Sequence, residues 1–278
     1  MVLKSSLFAG LALTIVALTV PLRLFDSNVG ACKDSKAFSS EVDTGSRQEN
    51  ASKQKANATR IEACSRAINA AGWHYDNSAW AYANRGDAYR LKGETDLAIA
   101  DYDQAIRLEP HRSMTHHNRG LAYQAKGDLE HAIADYSQAI SRWHLRKNAS
   151  KGEYLSHRAE AYKQRGDQAL AMADYDAAIR LSSHDSELYY NRGLLIKATN
   201  DPDRAIADYT HAIAEFDASE HSLTDKRNYL TERGEAYRAK GESKLALADF
   251  EQTIAIAIDA TLARAVGART RLASVVKR

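Results

Sequence analysis

The sequence predicts an all-α fold in which helix pairs stack side by side into an α-solenoid. Helix-forming Ala, Leu, Glu, Lys and Arg are abundant, and the 278 residues include only 3 prolines. The segment from Asn84 to Ile106, which begins NRGDAYRLKG, recurs four more times along the chain. Where no insertion intervenes its period is 34 residues, which is typical of repeated helix pairs.

The first 31 residues differ from the repeats. Lys4 precedes a mostly apolar run from Leu7 to Leu22, and Arg23 closes that run. This pattern favours a secretory signal cleaved after Ala31. The run is somewhat short for a membrane span, which needs about 20 apolar residues. An uncleaved anchor is therefore the first alternative. A lipoprotein-like box ending at Cys32 is the second. We therefore expect an exported, periplasmic or secreted protein, with membrane anchoring as the alternative.

Cys32 and Cys64 are the only cysteines, and both precede the repeats. In an exported protein an even pair predicts one disulfide, which would hold the N-terminal segment. Two unrelated thiols, or lipidation of Cys32, are the alternatives. The polar residues 32–58 are predicted to form a linker.

Each repeated segment combines two amphipathic helices. Tyr82, Gly86 and Tyr89 share one face of the first helix, at i, i+4 and i+7. The glycine on this face is predicted to let the two helices approach closely. A second set of residues is predicted to end the first helix in a left-handed conformation: Gly93, Gly127, Gly166, Asn200 and Gly241. The second helices of three repeats are predicted to begin at acidic caps: Asp128, Asp167 and Asp201.

Small and aromatic residues at these spacings resemble the tetratricopeptide repeat. The resemblance covers most of the chain and implies a right-handed solenoid with capping helices at both ends. The predicted division is a signal or anchor at 1–31, a linker at 32–58, a half-repeat cap at 59–78, repeats at 79–112, 113–146, 152–185, 186–219 and 227–260, and a capping helix at 261–278.

The resemblance also implies that ligands bind on the concave face, which the first helix of each repeat lines. An asparagine recurs at one position of this face, as Asn84, Asn118 and Asn191. It predicts either a ladder of side chains that bonds the backbone of an extended peptide or a solvated helix face, without preference between them. Four cations form a broken basic stripe: Arg90, Lys163, Lys197 and Arg238. This stripe could favour acidic partners or be a solvated edge of the helices. The candidate groove residues are Asn84, Asp87, Arg90, His117, Asn118, Gln124, His157, Lys163, Tyr190, Asn191, Lys197, Glu235 and Arg238.

An arginine and an aspartate recur sixteen residues apart in every repeat. Because a ligand site is rarely needed five times at one framework position, we interpret them as structural ion pairs, partly exposed at the rim of the core. The pairs are Arg85 and Asp101, Arg119 and Asp135, Arg158 and Asp174, Arg192 and Asp208, and Arg233 and Asp249.

The sequence carries no recognised catalytic motif, so neither an enzyme nor a cofactor is predicted. A zinc site between His117 and His157 is less favoured than solvated or groove-lining imidazoles, and no metal site is predicted. A net charge of +2 gives no indication of nucleic-acid binding. We predict a scaffold in the bacterial cell envelope that binds a peptide or partner protein. The alternatives are a module that binds an envelope polymer through Tyr154, Tyr190, His117 and the basic stripe, or an accessory subunit of an envelope enzyme.

Overall fold

A computed structural model describes residue 32 and residues 47–70, 78–143, 150–217 and 222–276. These residues contain helices and no strand. The helices are α1 (Arg47–Ala70), α2 (Ala79–Leu91), α3 (Thr95–Leu108), α4 (Ser113–Lys126), α5 (Leu129–Ser141), α6 (Ser150–Arg165), α7 (Gln168–Leu181), α8 (Ser186–Lys197), α9 (Pro202–Ala214), α10 (Leu223–Ala239) and α11 (Ser243–Val276).

The helices pair and stack in chain order. Within units 1 to 5 the pairs are α2 with α3, α4 with α5, α6 with α7, α8 with α9, and α10 with α11. The second helix of each unit also packs on the first helix of the next, and α1 packs on α2. This arrangement confirms the all-α solenoid that the repeat period predicts.

The predicted breaks between paired helices are confirmed. The turn residues are all left-handed, with φ of 81° at Gly93, 83° at Gly127, 95° at Gly166, 60° at Asn200 and 80° at Gly241. Asp128 and Asp201 accept capping bonds from the backbone N–H groups of His131 and Arg204. Asp167 occupies the predicted N-cap position of α7, but its side chain makes no capping bond and instead accepts a bond from Arg165.

A close approach of paired helices explains the glycine on the first-helix face. A Cβ added at Gly120 would lie 2.7 Å from Cε1 of Tyr136, a ring that is fully buried. The same holds at Gly86, Gly193 and Gly234, against Tyr102, Tyr209 and Phe250. At these positions of the core, aromatic rings of the second helix therefore pack directly on the glycine backbone of the first helix.

The N-terminal end differs from the prediction. Helix α1 begins at Arg47, so the linker prediction is wrong for residues 47–58. These residues lack apolar periodicity but include Ala, Lys, Gln and Glu, which are good helix formers. The Cys32 sulfur is bonded to that of Cys64 on α1, and both residues are fully buried. The predicted signal or anchor at 1–31 lies outside the described residues.

The C-terminal end is a single long helix. Helix α11 continues through the predicted boundary at 260, because no glycine turn or proline interrupts it there. Leu247 on its outward face is 58% exposed, whereas Ile133, the residue at the same repeat position in α5, is only 8% exposed. None of the described helices is both long and apolar enough to cross a membrane.

Candidate functional site

The recurring arginines and aspartates meet in all five units. In unit 3, Nε and Nη2 of Arg158 donate to the two carboxylate oxygens of Asp174 at 2.7 and 2.8 Å. The other four pairs have the same geometry, at 2.7–2.9 Å. The arginine side chains are partly exposed, as predicted, but the aspartate side chains are only 4–10% exposed. The aspartates are thus buried, contrary to the prediction, because each lies on the inward side of its second helix.

Each arginine also donates a third bond, from Nη1 to the helix of the preceding unit. Arg119 and Arg192 reach carboxylates, Asp103 at 2.6 Å and Asp176 at 2.7 Å. The other three arginines reach hydroxyls: Arg85 to Ser65 at 3.0 Å, Arg158 to Ser137 at 2.9 Å, and Arg233 to Thr210 at 3.2 Å. A guanidinium that connects three helices holds the fold together, and it is not available to a ligand.

Two of the recurring groove asparagines have partners in adjacent helices. Asn118 Nδ2 donates to Asp87 Oδ1 at 2.8 Å, and the same oxygen accepts the Tyr102 hydroxyl at 2.7 Å. Asn84 Oδ1 accepts from Arg60 on α1 at 3.4 Å. Asn191 is half-buried and makes no side-chain hydrogen bond to another described residue. A continuous asparagine ladder facing a peptide is therefore not formed.

The basic stripe is neutralised at three of its four positions. Lys163 pairs with Glu160 at 2.5 Å, Lys197 with Glu232 at 2.6 Å, and Arg238 with Glu235 at 2.5 Å. Gln124, the gap in the stripe, accepts the Tyr136 hydroxyl at 2.6 Å.

Arg90 is the exception within the stripe. It has no carboxylate partner among the described residues, and its buried Nε atom has no hydrogen-bond partner there. Its positive charge lies close enough to lower the pKa of both His117 and His157. Of the four stripe cations, Arg90 is thus the one without a salt bridge to a described residue, although its charge also acts on the Tyr102 hydroxyl that donates to Asp87.

His117 and His157 come together across units 2 and 3. Nε2 of His117 lies 2.9 Å from Nδ1 of His157, and Glu153 lies one turn before His157 on α6. His117 is 3% exposed and packs 4.6 Å from the Tyr154 ring. It is therefore a buried imidazole and not a solvated one. The spacing of Glu153 and His157, i and i+4 on one helix, is the signal that could have identified this cluster from sequence.

Burial sets the protonation of both rings. Burial, together with the charges of His157 and Arg90, lowers the pKa of His117 to about 3. Burial also lowers the pKa of His157, again with a contribution from Arg90. Both imidazoles are consequently uncharged at neutral pH.

The aromatic surface proposed for a polymer ligand is not formed. Tyr154 is only 2% exposed, and His117 is equally enclosed. Tyr190 packs against Tyr229 and Tyr209, with ring centroids 4.7 and 6.0 Å away. Rings enclosed in this way cannot stack on a sugar. Sequence reasoning missed one groove feature: the buried Tyr209 hydroxyl has no partner among the described residues, because Leu194 stands where unit 1 has Asp87.

Comparisons with known proteins agree with this architecture. A family profile described as TPR repeat matches residues 86–127, and one described as tetratricopeptide repeat matches 115–142, 152–185 and 186–215. No curated protein matches the chain.

Solved structures share the fold at low sequence identity. YrrB, described as a TPR protein with an unusual peptide-binding site, is 19% identical, with 74% of this chain and 98% of that chain covered and a TM-score of 0.54. BtubC from P. vanneervenii is 17% identical, with 78% and 93% covered and a TM-score of 0.64. MamA from Desulfovibrio magneticus RS-1 is 15% identical, with 66% and 97% covered and a TM-score of 0.56.

The family profiles, the five helix pairs and the shared fold agree with one another. This fold is in general a scaffold for protein–protein interaction. The chain contains tetratricopeptide repeats, matched over residues 86–142 and 152–215.

Proposed function

We propose that the protein is an adaptor that binds an acidic peptide segment of a partner protein on the concave surface of units 1 to 3. The protein has no catalytic role of its own in this proposal. Two considerations support it: the fold is an interaction scaffold, and a structural relative, YrrB, is described as having a peptide-binding site.

The observation that carries the proposal is that Arg90 has no salt bridge to a described residue and that its buried Nε has no hydrogen-bond partner there. The other three cations at this repeat position already have carboxylate partners. A half-buried charge without a partner lowers stability, and a carboxylate brought by a ligand would offset that loss. Arginine also presents a planar fork that matches a carboxylate, which favours an aspartate, a glutamate or a chain end in the partner.

The test is affinity capture of partners from an envelope extract, followed by titration of the captured partner with purified variants. Arg90→Met is expected to weaken binding about tenfold or more, because it removes the stripe cation that has no carboxylate partner among the described residues. Lys163→Met removes a cation at the same repeat position, but one that is already paired, so its effect is expected to stay within about threefold. Equal effects of the two variants would contradict the proposal.

We also propose that the protein acts outside the cytoplasm, in the cell envelope. The apolar N-terminal run and the paired cysteines support this location, since disulfides persist in oxidising compartments. The test is mass analysis of the protein purified from its native cells. Cleavage after Ala31 and a chain without free thiols are expected. An intact N-terminus with two alkylatable thiols would contradict the proposal.

A further inference from the structure

We propose that His117, Glu153 and His157 form a binding site for a divalent transition-metal ion, with Zn²⁺ as the reference ion. The site lies on the concave surface and joins α4 of unit 2 to α6 of unit 3. It is independent of the peptide proposal, since none of its three ligands is a residue assigned there to hold the peptide.

The geometry of the three side chains carries this inference. Glu153 and His157 are one helical turn apart, which places both on the same face of α6. One ligand atom from each of the three residues lies within 4.8 Å of the other two. Two bonds of about 2.0–2.2 Å to one ion span at most about 4.4 Å, so the side chains must rotate to close on an ion, a change that needs no movement of either helix.

The separation of the two ring nitrogens fits coordination. With zinc–nitrogen bonds of about 2.0–2.1 Å, a separation of 2.9 Å corresponds to an angle of about 90° at the ion. Increasing the distance between the two ring nitrogens by about 0.4 Å gives the tetrahedral angle that zinc prefers. Side-chain rotation alone supplies a change of that size.

The chemical state of the ligands also suits a metal. Neutral imidazoles bind metal ions, and burial keeps both rings neutral. In the direct contact one ring donates N–H to the other, so the donor ring must move its proton to its other nitrogen before both lone pairs can bind the ion. No net proton is released by that step. Glu153 is exposed, which leaves a coordination position on the solvent side for water or a further ligand.

The direct test is calorimetric titration of Zn²⁺ into the full chain after treatment with chelator. One ion per chain is expected, together with a rise in Tm. His157→Ala and Glu153→Gln are each expected to weaken binding by about tenfold or more. His131→Ala is the matched control, because His131 also lies beside a carboxylate, that of Asp128, but on the exposed side of α5. It is expected to leave the affinity within about twofold.

A second variant tests the position of the ion. Because the charge of Arg90 acts on both imidazoles, Arg90→Met is expected to raise the Zn²⁺ affinity severalfold. The proposal is overturned if the wild-type chain binds no ion, if His157→Ala binds as tightly as wild type, or if Arg90→Met brings no gain. Far-UV circular dichroism of each variant shows whether the fold is intact.

Discussion

At the scale of single residues, burial decides how much an ion pair contributes. Asp174 and Asp176 both lie on α7 and both accept bonds from arginines. Asp174 is 10% exposed and holds Arg158 through two bonds, whereas Asp176 is 42% exposed and accepts one bond from Arg192. The sequence predicts that the first pair exists. It does not reveal how far the carboxylate is buried, since that depends on the neighbouring unit.

We predict that Asp174→Ala lowers the free energy of unfolding by about 3 kcal/mol, because it leaves the partly buried guanidinium of Arg158 without its carboxylate. Asp176→Ala is expected to lower it by less than about 1 kcal/mol, since exposed pairs contribute little. Urea denaturation monitored by circular dichroism measures both. A smaller loss for Asp174→Ala than for Asp176→Ala would show that burial is not the deciding factor.

A second residue-scale prediction concerns pH in the metal-free protein. The pKa of His117 is about 3 in the folded chain, where burial, His157 and Arg90 all oppose its protonation, and about 6.5 in an unfolded one. Between these values the unfolded state binds more protons. Stability contributed at this site is therefore complete above pH 7 and is lost as the pH falls toward 3.

The free energy of unfolding is measured by urea denaturation, with a chelator present, at values from about pH 7.5 to about pH 4.5. This range includes the pKa of histidine in an unfolded chain. His117→Asn is expected to reduce the pH dependence relative to wild type, whereas the exposed-site variant His131→Asn is expected to leave it nearly unchanged. An undiminished slope in His117→Asn would contradict the assignment.

At the scale of helices, local turn chemistry proved sufficient to place the five pairs. Every predicted turn residue has positive φ, and glycines face rings as their spacing indicates. The ends were harder, for physical reasons. Residues 47–58 form part of α1 without the apolar periodicity that marks a packed helix. The extent of α11 depends on the lack of a break near 260, a weak local signal.

The candidate site was only partly predictable for a related reason. The groove positions could be located by repeat register, but their partners lie in neighbouring units. Asn118 finds Asp87, and His117 finds His157, only because the superhelix places those side chains together. Repeat register brings His117 and His157 together as candidates, but spacing along a single helix does not reveal whether such residues make contact. Spacing also left Arg90 indistinguishable from the three paired cations.

A prediction at this scale is that Gly120→Ala destabilises the protein. Two effects compete: an alanine favours the helix by about 1 kcal/mol, but its Cβ would lie 2.7 Å from the Tyr136 ring, and overpacking costs about 1–3 kcal/mol. We expect a net loss of about 1 kcal/mol. Ala159→Gly, at the same position in unit 3, is expected to lose about 1–2 kcal/mol, because both helix propensity and a fully buried methyl group are lost.

Thermal unfolding of the two variants decides between the effects. If Gly120→Ala raised the Tm, helix propensity would outweigh the contact and the role assigned to the bare backbone would be wrong.

At the scale of the whole molecule, stability in a repeat array is largely local. The Cys32–Cys64 bond closes a loop of 32 residues, for which chain entropy predicts about 3–4 kcal/mol. We predict that Cys64→Ser loses this stabilisation mainly in α1 and α2. Hydrogen exchange is expected to show faster exchange there and unchanged rates in α8 to α10. A uniform loss of protection would indicate that the array unfolds as one unit.

The third bond of each arginine differs between the interfaces of the array. Between units 1 and 2, and between units 3 and 4, the outer partner is a carboxylate, whereas at the lengthened connections after α5 and α9 it is a hydroxyl. The two carboxylates, those of Asp103 and Asp176, are 44% and 42% exposed, so dissolved salt screens their attraction to the arginines. Added salt is therefore expected to weaken the contacts between units 1 and 2 and between units 3 and 4 more than those at the lengthened connections. A metal ion held by His117 and His157 would add a bond between units 2 and 3, where the third bond of Arg158 goes to a hydroxyl instead of a carboxylate.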